Sequence, residues 1–143
     1  MSPYFLRSKP DGSQRFILNL KKLNEYVKKA HFKLEDLRTA TKLISKGDFM
    51  IPIDMKDAYF LVPIERNSPK YLMFKFRGKY YRFFCLPFGL TTGPLTFTKI
   101  LKPLARKRRA KGILCVNYLD DWLVIGDNFI ECLKHAEIII QLL

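Results

Sequence analysis

Two adjacent carboxylates, Asp120 and Asp121, stand between two short apolar runs, Ile113 to Tyr118 and Trp122 to Ile125. No other stretch restricts the fold as much. Aspartate is depleted in strands and costly to bury unpaired, whereas Val116, Leu123, Val124 and Ile125 read as buried strand residues. A strand, a tight turn at Leu119-Asp120-Asp121 and a second strand satisfy both demands. The expected result is a hairpin with acids at its tip. Taken alone, such a pair reads most simply as a solvated turn with no chemistry.

A second acid changes that balance. Ile51-Pro52-Ile53-Asp54-Met55-Lys56-Asp57 also ends an apolar run in a carboxylate. A two-metal site needs carboxylates converging on ions about 3.5–4 Å apart, one ion activating an attacking hydroxyl and the other steadying a leaving oxygen. Mg²⁺ is a hard ion that takes carboxylate oxygens and keeps waters for substrate phosphates. Acids at the ends of neighbouring strands deliver that geometry, provided the fold makes those strands neighbours.

The remaining sequence reads as one continuous α+β unit without repeats or linkers. Lys9-Pro10-Asp11-Gly12-Ser13 is a turn signal that leads into a strand at Phe16-Ile17-Leu18. Helices are expected over Leu20 to Val27 and over 34–45, the second ended by Gly47. Phe49 to Ile53 is a strand delivering Asp54, and Ala58 to Val62 a helical turn stopped by Pro63. Tyr71 to Phe76 and Tyr80 to Phe84 form a hairpin around Arg77-Gly78-Lys79. Thr91 or Thr92 caps a helix from Pro94 to Lys111, closed by Gly112. Asn128 with Glu131 three residues later is a capping-box pattern, and Phe129, Leu133, Ala136, Ile140 and Leu143 line one face of the helix that follows. The sequence stops inside that helix.

Charge bears on the partner. Lys and Arg number 26 against 13 Asp and Glu, a formal net charge of +13 on 143 residues. That balance suits a polyanion, either nucleic acid or an anionic membrane surface. No apolar run approaches the roughly 20 residues that span a bilayer, and the N-terminus lacks the pattern of a signal peptide. Cys85, Cys115 and Cys132 are odd in number and far apart. They argue against a disulfide framework or zinc site and for a reducing intracellular compartment, cytoplasm or nucleus. His31 and His135 are too few for a histidine-rich metal site.

Four ordered motifs now resemble a known family. Asp54-Met55-Lys56-Asp57-Ala58-Tyr59-Phe60 resembles the first palm motif of reverse transcriptases. Leu86-Pro87-Phe88-Gly89-Leu90-Thr91-Thr92-Gly93-Pro94 resembles the second, and Tyr118-Leu119-Asp120-Asp121 the third. Lys9 to Arg15, followed by Leu20-Lys21-Lys22-Leu23-Asn24, resembles the fingers segment. Phe88 stands where retroviral enzymes usually carry Gln, so the wording is nearer retrotransposon enzymes of the gypsy type and, with Asn19 to Asn24 and Gly93-Pro94, of the DIRS type.

The resemblance implies a right-hand polymerase fold, with an antiparallel palm sheet and helices packed on one face, truncated before the thumb. Residues of about 1–48 and 61–90 would be fingers, and 49–60 and 91–143 palm. Asp54, Asp120 and Asp121 would be the catalytic, metal-binding carboxylates. The cofactor would be two Mg²⁺ ions, or Mn²⁺ in their place. Lys9 and Arg15 would contact the triphosphate. Met55, Asp57 and Ala58 would lie under the incoming nucleotide, and Tyr59 would be the steric gate against a ribose 2′-OH. Phe88 and Gly89 would face the nascent base pair. Partners would be an RNA or DNA template with its primer and a dNTP, but no membrane. A thumb and RNase H domain would lie elsewhere on a polyprotein. Lys99, Lys102, Arg106, Lys107, Arg108, Arg109 and Lys111 crowd one helix, either as a solvated face or as a track for template phosphates.

Three rivals stay open: a retroelement fragment that binds nucleic acid without polymerising, a plain RNA-binding module, and a palm polymerase that makes RNA. Tyr59 argues against the last, since RNA makers usually lack that gate.

Overall fold

The computed structural model describes residues 1–28, 31–35 and 37–143, Leu37 by its backbone only. Contacts divide the chain into two compact units, Met1–His31 with Asp57–Phe97, and Phe32–Lys56 with Thr98–Leu143.

The first unit is built from two hairpins. Strands β1 (Tyr4–Ser8) and β2 (Gln14–Leu18) pair antiparallel, Tyr4 opposite Leu18. Their connection is the expected Pro-Asp-Gly turn, in which Asp11 accepts from the Ser13 amide (2.8 Å) and hydroxyl (2.6 Å). β1 itself is absent from the sequence reading, because four of its five residues are exposed and carry no in-out alternation. A short helix, α1 (Lys21–Tyr26), follows. Strands β4 (Met73–Phe76) and β5 (Lys79–Arg82) form the second hairpin. It is shorter than expected, because Tyr71 belongs to a 3₁₀ turn over Pro69–Tyr71. Leu18, Leu20 and Leu72 are buried together, with Tyr4, Phe16, Phe74 and Phe83 packed around them. The Phe16 and Phe74 rings lie 4.9 Å apart, so aromatic packing joins one hairpin to the other.

The second unit is a three-stranded antiparallel sheet ordered β3-β7-β6, from β3 (Phe49–Asp54), β6 (Cys115–Tyr118) and β7 (Asp121–Gly126). Strand alternation gives it two distinct faces. Pro52, Asp54, Val116, Tyr118, Asp121, Leu123 and Ile125 share one. Ile51, Ile53, Cys115, Asn117, Trp122 and Val124 share the other. Helix α4 (Phe129–Leu142) lies against β7 and β3 on the Trp122 face. There the Cys132 thiol donates to the Phe49 carbonyl at 3.3 Å, and a Cβ at Gly126 would come within 2.7 Å of the Cys132 backbone. Helix α3 (Gly93–Ala110) brings the Arg108 guanidinium over the Trp122 ring on the same face. Ala40 of α2 (Leu37–Leu43) packs with Val116 and Ile125 on the acid-bearing face.

Two sequence expectations change here. The helix expected over 34–45 begins at Leu37, with Asp36 outside the described residues. Glu35 is drawn out of helical geometry because its carboxylate bonds residues 73 and 82 positions away. In α4 the buried residues are Cys132, Ala136 and Ile139, whereas Phe129, Leu133, Ile140 and Leu143 are exposed. Apolar residues nearly encircle this helix, so its pattern alone leaves the buried stripe open; the Gly126–Cys132 contact sets it. The capping expectation holds, with Asn128 accepting from the Glu131 amide at 2.9 Å. Burial pushes the Cys115 thiol up to about 11, so it is unreactive at neutral pH.

Candidate active site

Two of the three candidate carboxylates, Asp54 and Asp121, are delivered by strand ends, and Asp120 by the turn between β6 and β7. β3 runs out at Asp54, and β7 starts at Asp121 directly opposite it in the antiparallel register. Directly opposed residues of such a pair lie about 4.5–5.5 Å apart. Tyr118 stands opposite Asp121 on the other side, which closes the β6–β7 turn over Leu119 and Asp120. The Met55 amide donates to the Asp120 carbonyl at 3.0 Å, tying the turn to the chain just past β3. Leu119 takes φ of 57°, a left-handed conformation that costs a leucine about 1–2 kcal/mol.

The electrostatics fit a cation-binding role. Burial, with the carboxylates of Asp120 and Asp54 beside it, raises the Asp121 carboxyl above its ordinary value. Like charges are thus held close enough to repel, on an exposed strand end with hard oxygen donors. Among the described residues, no group of three or more acidic, histidine or cysteine side chains is gathered closely enough to hold a metal ion. An open set is what Mg²⁺ accepts when substrate phosphates complete its shell. Asp54, Asp120 and Asp121 offer hard oxygen donors of the kind Mg²⁺ takes.

The outer edge of the same hairpin is braced. The Glu35 carboxylate accepts from the Asn117 amide at 2.9 Å, from Arg108 at 3.1 Å and from Arg109 at 3.1 Å. Arg108 also donates to the Asn117 side-chain oxygen at 3.3 Å. The sequence reading placed Arg108 among the solvated or phosphate-tracking cations, but its side chain is only 3% exposed. A signal was available, because Arg108 continues the Phe97, Leu101, Leu104 stripe at helical spacing. Below the acids, Pro52, Val116, Tyr118, Leu123 and α2 line an open apolar pocket of about 650 Å³ with Asp121 at its rim.

The other expected site residues lie in the first unit. Asp57, with φ of 54°, starts a 3₁₀ turn over Ala58–Leu61 and accepts from the Phe60 amide at 2.9 Å through its backbone carbonyl. Ala58 and Tyr59 are buried. The Tyr59 ring stacks between Phe88 at 5.2 Å and Phe97 at 5.0 Å. The Arg15 guanidinium lies 5.0 Å from the Phe88 ring centre, so Arg15, Phe88 and Tyr59 form one continuous stack. Gly89, with φ of 97°, leaves room for the Leu18 carbonyl, which would lie 2.8 Å from an added Cβ. Asn24 pins the same loop, donating to the Gly89 carbonyl and accepting from the Thr91 amide, both at 2.9 Å. Lys9 sits in the β1–β2 turn, its amide bonded to the Ser13 carbonyl. Gly93 adds a residue the sequence reading gave no structural part, since a Cβ there would meet the Tyr59 ring at 3.2 Å.

The carboxylates with Met55 thus share one unit, and Lys9, Arg15, Asp57, Ala58, Tyr59, Phe88 and Gly89 share the other. Comparison with known proteins bears on both. A family model described as reverse transcriptase (RNA-dependent DNA polymerase) matches residues 7–143. The Transposon Tf2-3 polyprotein of Schizosaccharomyces pombe is 24% identical over 139 residues, covering 97% of this chain and 10% of its own length. Tf2-7 of the same organism is 23% identical over the same span. The chain therefore spans about a tenth of the curated relatives it matches. Among solved structures, native prototype foamy virus protease-reverse transcriptase superposes with a TM-score of 0.75 at 21% identity, over 99% of this chain and 18% of that one. The foamy viral enzyme in complex with dsDNA gives 0.79 at 23% identity, over 98% and 29%. In complex with RNA/DNA hybrid it gives 0.78 at 23%, over 98% and 18%.

Proposed function

Because the chain belongs to the reverse transcriptase (RNA-dependent DNA polymerase) family, we propose that it carries the carboxylate centre and nucleotide platform of RNA-directed DNA synthesis. The reaction is attack by a primer 3′-hydroxyl on the α-phosphate of a dNTP, with release of pyrophosphate. The observation that carries this reading is the register that sets Asp54 opposite Asp121, with Asp120 in the adjoining turn. Two divalent ions, Mg²⁺ or Mn²⁺, would be held by Asp54, Asp120 and Asp121, and when bound they supply activation of the hydroxyl and neutralisation of the leaving oxygen.

The chain's own residues do the rest by positioning and charge. Arg15 and Lys9 attract the triphosphate. Tyr59, held in its stack by Phe88 and Phe97 and backed by Gly93, presents a fixed ring edge that discriminates against a ribose 2′-OH. Met55, Asp57 and Ala58 floor the nucleotide, and Phe88 and Gly89 face its base. A template with primer, RNA or DNA, is the partner; the foamy viral relatives are solved with dsDNA and RNA/DNA hybrid. Residues of about 1–48 and 61–90 are assigned to fingers, and 49–60 and 91–143 to palm.

Primer extension on an RNA template with Mg²⁺ tests this. Asp120→Asn should abolish incorporation while template binding stays near the parent's; equal incorporation sinks the assignment. Tyr59→Ala should admit ribonucleotides, and unchanged sugar selectivity removes Tyr59 from the gate.

A further inference from the structure

A strained turn holds its shape only when its surroundings fix it from both sides. The inner side of the Leu119-Asp120 turn is fixed by β3, through the Asp54 register and the Met55 amide. Among the described residues, its outer side has no strand to lean on, because β6 is the edge of the sheet. At that edge stands Asn117, one residue before Tyr118. Its amide points to Glu35, and its side-chain oxygen takes a hydrogen bond from Arg108. Arg108 also lies over Trp122, the residue after Asp121, with its carbon 5.9 Å from the ring centre. One part-buried ion pair thus touches the hairpin directly before and directly after the four-residue turn.

We infer that Glu35 and Arg108 are positioning residues that brace the β6 edge and hold the Asp120–Asp121 turn in register with Asp54. The inference rests on the carboxylate centre proposed above and adds residues outside its motifs. Stability alone is a poor reason for such a pair. Burying the Arg108 charge costs several kcal/mol, and apolar replacements of buried pairs are often neutral or stabilising. Geometry is the better reason. A single nitrogen of Arg108, Nη2, reaches the Glu35 carboxylate and the Asn117 side-chain oxygen together, so one side chain ties β6 to the segment before α2.

The test compares the parent chain with Glu35→Leu/Arg108→Met and with Glu35→Gln, which keeps an acceptor for the Asn117 amide. Amide exchange at Tyr118 and Asp121 is read against Val124, and Mn²⁺ affinity is read by electron paramagnetic resonance. The double variant should keep the parent's Tm and its exchange at Val124. Protection at Tyr118 and Asp121 should fall about tenfold, with Mn²⁺ affinity weakened by about 10-fold or more, the scale of lost outer support around a metal site. In primer extension its kcat should drop with KM for the dNTP unchanged. Unaltered turn protection and Mn²⁺ affinity at equal Tm overturn the inference. Should the double variant fail to fold, Glu35→Gln decides: a several-fold loss of Mn²⁺ affinity at parental Tm supports the brace, and parental affinity overturns it. A parent chain that binds no Mn²⁺ defeats the polymerase reading, and the exchange data then judge the brace by themselves.

Discussion

The chain closes two hairpins with two-residue turns, and it treats them oppositely. At Arg77-Gly78 both central residues take positive φ, 46° and 80°, as a type I′ turn requires, and glycine takes the second position at no steric cost. That hairpin has two strands and bears no acid. At Leu119-Asp120 the positive φ falls on leucine, where a type II′ turn prefers glycine. This turn adjoins the middle strand of a three-stranded sheet, and Glu35 and Arg108 brace its edge. The first turn is stable because its residues suit it. The second is stable because its neighbours leave it no alternative, and it is the one that carries carboxylates.

The sharpest break between them is chemical. Asp121→Asn should lower nucleotide incorporation by more than about 10³-fold, the scale of lost charge stabilisation at a reacting centre, while Gly78→Ala leaves incorporation unchanged. The same Asp121→Asn variant should raise Tm at neutral pH. Burial and two neighbouring carboxylates raise the folded value for Asp121, so the stability it allows is full below its unfolded value and is lost as pH rises through the folded one. The gain should therefore vanish below about pH 4, where the parent carboxyl is protonated in both states. A Tm gain that persists in acid refutes the repulsion.

Next comes the strain itself. Leu119→Gly removes about 1–2 kcal/mol of left-handed cost and adds a similar entropic one, so thermal melting should show little net change. Incorporation should still fall, by up to about 10²-fold, because a loosened turn misplaces its acids. Parental activity in Leu119→Gly would make the two turns equivalent. The smallest effect belongs to Gly78→Ala, which should cost about 1 kcal/mol and lower exchange protection only in β4 and β5.

Much of this contrast was readable in advance. Turn chemistry named both hairpins, and the acid-ended apolar runs named Asp54, Asp120 and Asp121. Such signals are local: a glycine, a cap, an alternation of a few residues. β1 escaped because an exposed strand needs no apolar stripe. The α4 face escaped because consecutive isoleucines fit more than one stripe. Glu35 and Arg108 escaped for a different reason. Each looks like an ordinary surface charge, and only a fold joining positions 73 residues apart makes them a pair. The Phe97-Leu101-Leu104 stripe pointed to Arg108 as buried, but nothing local pointed to its partner. Gly93 is similar, its value depending on where the Tyr59 ring comes to rest.

Trp122 is the chain's single tryptophan. It is buried, it follows Asp121 directly, and it lies beneath the Arg108 guanidinium. Every photon of indole emission from this protein therefore originates one residue from the carboxylates. A paramagnetic ion arriving at Asp121 would dim that light, and a shift of Arg108 would change its colour, so the unlabelled chain is its own optical gauge of the turn.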